Sequence, residues 1–321
     1  MVVVTGAAGF IASALIGALN DEGVSDLILV DKFGDDAKMK NLKNKKYTEL
    51  IERDLFINWF EKNNDKVEFI FHIGARSATT GFDKSVFDKL NLNYTKSIWT
   101  ICANNDIPMI YASSAATYGN GEFGYDDNHE LVSKLKPLNL YGESKNNFDK
   151  WALEQEKAPP SWYGLKFFNV YGPNEYHKGR MASVIHSAFY QIKEKGSMKL
   201  FKSHNPKYAD GGQLRDFVYV KDLIEVMLFL WEYEAKSGLY NVGTGTAQSF
   251  LDLAKATFKA MGVEENISFI DTPEDIRDKY QYFTEANMKK LLDQGYGVPF
   301  YNLEDGIDDY VKEFLLKNDY Y

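Results

Sequence analysis

The sequence predicts an α/β fold, a doubly wound parallel sheet with a smaller, mixed lobe drawn mainly from the C-terminal half. Three observations predict it. Short apolar runs rich in β-branched and aromatic residues recur at 2–5 (VVVT), 27–30 (LILV), 67–73 (VEFIFHI), 108–113 (PMIYAS) and 163–170 (YGLKFFNV), as strands buried on both faces do. Stretches with helical spacing lie between them, at 10–20, 83–105 and 141–157. Alternation of this kind gives a parallel sheet covered by helices on both sides. The composition, 45% apolar and 26% charged over 321 residues, is that of a globular chain with a sizeable core.

The first run leads into Gly6-Ala7-Ala8-Gly9 and opens a helix at Phe10 and Ile11. Glycines there permit a tight turn and let a pyrophosphate approach the backbone, its charge met by the helix N-terminus. Asp31 closes the second run, at the distance expected of an acid that binds a ribose. This is a Rossmann-type junction, and it predicts a nicotinamide dinucleotide. Asp31 alone favours NAD, because it repels a 2′-phosphate. Lys32 and Lys38 follow and can neutralise one, so the residues leave NAD and NADP both open.

The run at 108–113 continues into Ser113 and Ser114, at the sheet edge where ligands bind, and the next helical stretch begins with Tyr141 and Lys145. An i, i+4 spacing stacks the phenol and the ammonium on one helical face. With 21 tyrosines in the chain, such a pair also arises by chance, so the serines and the glycine loop carry the inference. A tyrosine with a pKa of about 10 is a poor base at neutral pH. A nearby lysine and the positive ring of an oxidised nicotinamide stabilise the phenolate, Tyr141 exchanges a proton with a sugar hydroxyl, and Ser114 holds the oxygen.

Beyond 170 the rhythm loosens into the loop-like YGPNEYHKGRM and HNPKYADGGQLRDF, then resumes with FVYV (217–220), KDLIEVMLFLWEYEA and LYNVG. The expected division is a dinucleotide-binding lobe from 1–169 plus 215–247, and a substrate lobe from 170–214 plus 248–321. A net charge of −9 argues against nucleic acid and anionic membranes as partners. Cys102, the single cysteine, is expected to be a buried, inert thiol. No His/Cys/Glu spacing suggests a metal site, and His72 and His177 are read as structural. With no basic leader before VVVT and no apolar run long enough to span a bilayer, the chain is expected to be cytoplasmic.

The order GxxGxxA, the acid after the second strand, SSAATYG and YxxxK resembles the extended short-chain dehydrogenase/reductase family of nucleotide-sugar enzymes. The likeness runs nearly end to end, through FNVYGP (168–173), RDFVYVKD (215–222) and YNVGTG (240–245). Ala115 and Ala116 stand where the family's 4,6-dehydratases carry an Asp-Glu pair, which argues against dehydration. FNVYGPNEYHKGRMASV (168–184) resembles the family's ADP-heptose 6-epimerase branch, whose product feeds bacterial lipopolysaccharide synthesis. UDP-sugar 4-epimerisation is the alternative, and a non-catalytic dinucleotide-binding protein a further one.

That resemblance implies tightly bound, recycled NADP, with NAD as the alternative, and a second base at Lys178. It also implies cofactor contacts from Gly6, Gly9, Phe10, Ile11, Asp31, Lys32, Lys38, Asp54, Ala75, Asn93, Tyr141, Lys145 and Val170. The substrate pocket it implies includes Ser114, Asn169, Arg180, His186, Phe201, Lys202, Ser203, His204, Arg215 and Tyr280. A nucleotide-sugar substrate and a homo-oligomer, a pentamer among the assemblies considered, complete the expectation. The chain departs from the family pattern at Ala12, where a third glycine is usual, at Ile73, where an acid is usual, and at Arg180, where a small serine is common.

Overall fold

A computed structural model describes residues 1–78, 83–233, 235–277 and 281–321. Its strands are β1 Val2–Thr5, β2 Leu27–Asp31, β3 Glu49–Glu52, β4 Phe69–His72, β5 Met109–Ser114, β6 Trp162–Phe167, β7 Asn169–Tyr171, β8 Met198–Phe201, β9 Leu214–Arg215, β10 Phe217–Tyr219, β11 Gly238–Val242, β12 Gln248–Ser249 and β13 Ile267–Ile270. The central sheet has seven strands in the order β11-β6-β5-β4-β1-β2-β3, all neighbours parallel. The chain winds outward from β1 through β2 and β3, then returns to lay β4, β5 and β6 on the other side. The order therefore reverses between β1 and β4, and in sheets of this kind the carboxyl ends of the strands at that reversal are where ligands bind.

Alternation along each strand supplies both layers. Val2, Val4, Leu27 and Leu29 belong to one core, shared with the helices Phe10–Asp21 and Val220–Glu232. Val3, Ile28 and Val30 face the other, beneath the helices Arg53–Asn63, Tyr94–Asn104 and Leu140–Leu153. Cys102 is buried in this second core, and burial pushes its thiol pKa up. No helix among the described residues is long and apolar enough to cross a membrane.

Two features differ from the sequence reading. Strand β3 (ELIE) gave no apolar signal because it is the sheet's edge, with only Ile51 buried. The single run read at 163–170 is two strands. Phe168 N–H still donates to Val242 O of β11 at 3.1 Å, but Asn169 N–H donates to Asp216 O at 3.1 Å. The backbone thus changes partner within one residue, and β7 pairs with β10 in a separate ribbon. FVYV therefore lies outside the central sheet.

Gly6 has φ +69°, and a Cβ added there would lie 2.5 Å from Gly74 Cα. The first loop and the turn after β4 touch backbone to backbone. Gly6→Ala is expected to cost about 1–3 kcal/mol of stability, read as a lower midpoint in chemical denaturation.

Candidate active site

The first loop closes with Gly9 N–H donating to Gly6 O at 2.7 Å. Gly9 caps the helix with no side-chain acceptor on its first amides, a cradle that suits a pyrophosphate. Asp31 is buried and accepts from Ala8 N–H at 3.0 Å and Lys32 N–H at 2.7 Å, while Lys38 Nζ donates to it at 2.5 Å. The acid sits at the loop with much of its charge offset by Lys38, and the Lys32 side chain is exposed. Ile11 is half-buried, Val170 is half-buried in β7, and Ala75 is exposed just past Gly74. Asp54 is exposed and takes Arg53 Nε–H at 2.9 Å.

At the other side of the crevice, β5 ends in Ser113 and Ser114, opposite Lys166 and Phe167 of β6. Asn139 caps the helix Leu140–Leu153 by accepting Gly142 N–H at 2.8 Å, which places Tyr141 in its first turn. Burial raises the Tyr141 phenol pKa, the Ser114 hydroxyl draws it down, and the Asp149 charge raises it again. Lys145 is buried, and its Nζ donates to Ala112 O at 2.7 Å. Burial lowers its pKa to about 8, with Asp149 opposing. The sequence led to an expectation of a cation-lowered phenol. In the protein alone burial is the largest influence on Tyr141, and it raises the phenol pKa.

Lys178 lies in the turn Tyr176–Met181, which is kinked at Gly179 (φ 52°, ψ −123°). Its Nζ sits 5.1 Å from the centroid of the buried Phe10 ring. Burial lowers its pKa and Glu175 opposes. The turn thus carries a lysine back across the crevice to the first residue of the glycine-loop helix.

The substrate-pocket candidates divide. Arg215 donates to Leu214 O at 2.8 Å and to Gln281 O at 2.5 Å. Neighbouring Asp216 instead takes the backbone N–H groups of Thr244, Gly245 and Ala286. Asn169 and Arg180 are exposed. The His186 ring lies against Tyr176 and Tyr190, its Nε2 buried without a partner among the described residues.

Phe201 is half-buried at the end of β8, and Lys202 pairs with Asp271 at 3.3 Å. Ser203 Oγ donates to Asn205 O at 2.8 Å, and His204 Nε2 accepts Thr272 N–H at 3.3 Å. Ser203 stays within its own loop, while Lys202 and His204 tie that loop to the segment following β13. Tyr280 lies outside the described residues.

Asn93 is exposed, whereas Asn91 is buried and bonds to Arg76 N–H and O and to Ser144 Oγ. Both asparagines belong to the wide-turned helical segment Asp88–Asn93. His72 is structural, as expected: its ring bridges Thr5 Oγ1 at 2.7 Å and Thr95 Oγ1 at 2.9 Å. Burial lowers its pKa from 6.5 to about 3. Such a base takes up its proton only on unfolding, so it contributes a loss of stability as pH falls from 6.5 towards 3. His72→Gln is expected to flatten that dependence in denaturation midpoints measured across pH.

Comparison with known proteins agrees with this geometry. The model of the NAD dependent epimerase/dehydratase family matches residues 2–243. The chain is 47% identical to the ADP-L-glycero-D-manno-heptose-6-epimerase of Fusobacterium nucleatum over 100% of both chains, and 41% identical to that of Brachyspira hyodysenteriae over 97% of each. A solved Helicobacter pylori ADP-L-glycero-D-manno-heptose-6-epimerase superimposes with a TM-score of 0.81 at 29% identity, covering 97% of this chain and 95% of that one. With the glycine cradle, the serine strand and the YxxxK helix on one crevice, this chain belongs to the NAD dependent epimerase/dehydratase family.

Proposed function

We propose that the protein converts ADP-D-glycero-D-manno-heptose into its L-glycero epimer at C6, by transient oxidation to a ketone and re-reduction. What supports this reading is a pair of candidate proton-handling groups at the carboxyl ends of the sheet, Tyr141 beside Ser114 at the end of β5 and Lys178 beside Phe10 at the loop after β1. A nicotinamide dinucleotide held at the glycine loop by Gly6, Gly9 and Asp31 would supply the exchange of hydride at C6. Inverting the carbon requires the ketone to present its other face to that fixed ring. The oxygen then points away from its first position, and a proton donor on the far wall can reach it. Tyr141 handles the hydroxyl proton in one orientation and Lys178 in the other, while Ser114 holds the oxygen near Tyr141.

The residues at the glycine loop fit a dinucleotide, and the Asp31–Lys38 pair with exposed Lys32 supports NADP over NAD, since a 2′-phosphate there meets two lysines. The lobe division is part of the same proposal. The pairing of β8 with β13 ties together the two segments of the substrate lobe, although one hydrophobic core runs through both lobes. A cytoplasmic bacterial setting, a role in lipopolysaccharide core synthesis and a homo-oligomeric assembly belong to the proposal as well.

The test is to add ADP-D-glycero-D-manno-heptose to the purified protein with cofactor and follow the C6 proton by NMR. Appearance of the L-glycero signal supports the reading. An unchanged spectrum, or turnover of UDP-galactose instead, rejects it. Lys178→Met is expected to lower epimerisation about 100-fold or more with the fold retained, measured by the same assay.

A further inference from the structure

Lys166 and Asp149 form a fully buried ion pair, Nζ to Oδ2 at 2.8 Å with both side chains at 0% exposure, and the proposed reaction gives neither residue a part. Replacing such a pair with apolar side chains of similar volume is often neutral or stabilising, so its presence in this core calls for a reason. Its connections supply one.

Tyr141, Lys145 and Asp149 lie at i, i+4 and i+8 on one helix, hence along one face. Asp149 Oδ1 accepts from Tyr111 Oη at 3.1 Å, and Oδ2 accepts from Ser113 Oγ at 2.7 Å as well as from Lys166. Ser113 and Lys166 are register partners on β5 and β6, so one carboxylate gathers two adjacent strands onto the tyrosine helix. Lys166 also donates to Thr117 Oγ1 at 2.8 Å, and Thr117 Oγ1 donates to Ser114 O at 2.8 Å. The pair therefore reaches the backbone of the site serine through one hydroxyl. Gly164 makes room for it: a Cβ there would lie 2.4 Å from Tyr111 Oη.

We infer that the Asp149–Lys166 pair is the positioning device of the Ser114–Tyr141–Lys145 site, locking the serine strand to the tyrosine helix and setting the charge that Lys145 meets. The inference rests on the reading of Tyr141 and Lys145 as the proton-handling pair. Other groups facing these residues are Tyr111, Tyr118 after β5, His129 of the short helix His129–Val132 with Lys290 behind it, and His72 beside Lys145. Burial holds His72 and His129 low, at about 3 and about 4, so both are neutral at pH 7 and Asp149 is the anion that supports Lys145. Removing that anion leaves Lys145 easier to deprotonate. Removing the Lys166 cation leaves the anion uncompensated and makes Lys145 harder to deprotonate.

The experiment is a pH titration of Lys145 in the ligand-free protein by ¹³Cε-lysine NMR, its resonance assigned by its loss in Lys145→Arg. Asp149→Asn, which keeps shape and one acceptor oxygen, is expected to lower the Lys145 pKa by about one unit. Lys166→Gln is expected to raise it, and Lys166→Arg to leave it near the wild-type value. Damage that was only structural would move both neutralised variants the same way. An unchanged Lys145 pKa in folded Asp149→Asn overturns the inference. Should that variant not fold, an unchanged or lowered pKa in Lys166→Gln does the same. No sugar is present, so a failed epimerase assay leaves this result standing, and an unchanged pKa leaves the epimerase reading standing.

Discussion

Tyr141→Phe is expected to lower epimerisation by about three orders of magnitude while leaving the fold and dinucleotide binding intact. A positioned general acid–base contributes about 100- to 10,000-fold, and phenylalanine at 141 removes only the phenol oxygen. Lys145, the nearest candidate on the same helix face, is engaged with Ala112 O. The resting protonation adds to the effect. Burial holds the phenol above its ordinary value, so its proton leaves only when positive charge approaches, and a phenyl ring offers none. A steady-state assay beside a dinucleotide-binding isotherm separates the outcomes: turnover collapses, and the dissociation constant stays within a few-fold of wild type.

The second large effect is on stability. Lys166→Met is expected to destabilise the fold by about 3–5 kcal/mol, because it leaves Asp149 buried with its charge unpaired. Ser113 and Tyr111 still donate to that carboxylate, but two neutral hydrogen bonds do not replace a buried ammonium. The double variant Asp149→Leu/Lys166→Met is expected to recover most of the loss, since it removes both desolvated charges together. Denaturant midpoints for the two single variants and the double complete the cycle. Similar losses in the double and the single would show that the cost lies in packing.

The parts of this molecule legible in its sequence are those with a local signal. The strands of the central sheet that carry apolar runs, the glycine loop, the acid at the end of β2 and the YxxxK spacing all follow from residues close in the chain. Strand β3 was missed because an edge strand needs only one buried residue, here Ile51. The split at Phe168 was missed because the change of partner from β11 to β10 is a long-range choice that an unbroken apolar run conceals.

Lys166 and Asp149 left faint traces, a lysine within the apolar run LKFF and an acid eight residues after Tyr141. Neither means much until the register of β5 against β6 brings them together. The ion pair between Asp31 and Lys38 lay beyond the sequence for a related reason: it joins residues whose side chains meet only in the folded loop.

The central claim is that one carbon loses a hydride and regains the same one. Substrate carrying deuterium at C6, incubated with the protein and its cofactor in ordinary water, tests it by mass spectrometry of the recovered L-glycero product. Oxidation and re-reduction by hydride transfer to and from a bound cofactor keep the deuterium on carbon through every inversion, because a hydride does not exchange with solvent. Product that has lost its deuterium to water would contradict the account, since the inversion would then proceed by proton abstraction from C6.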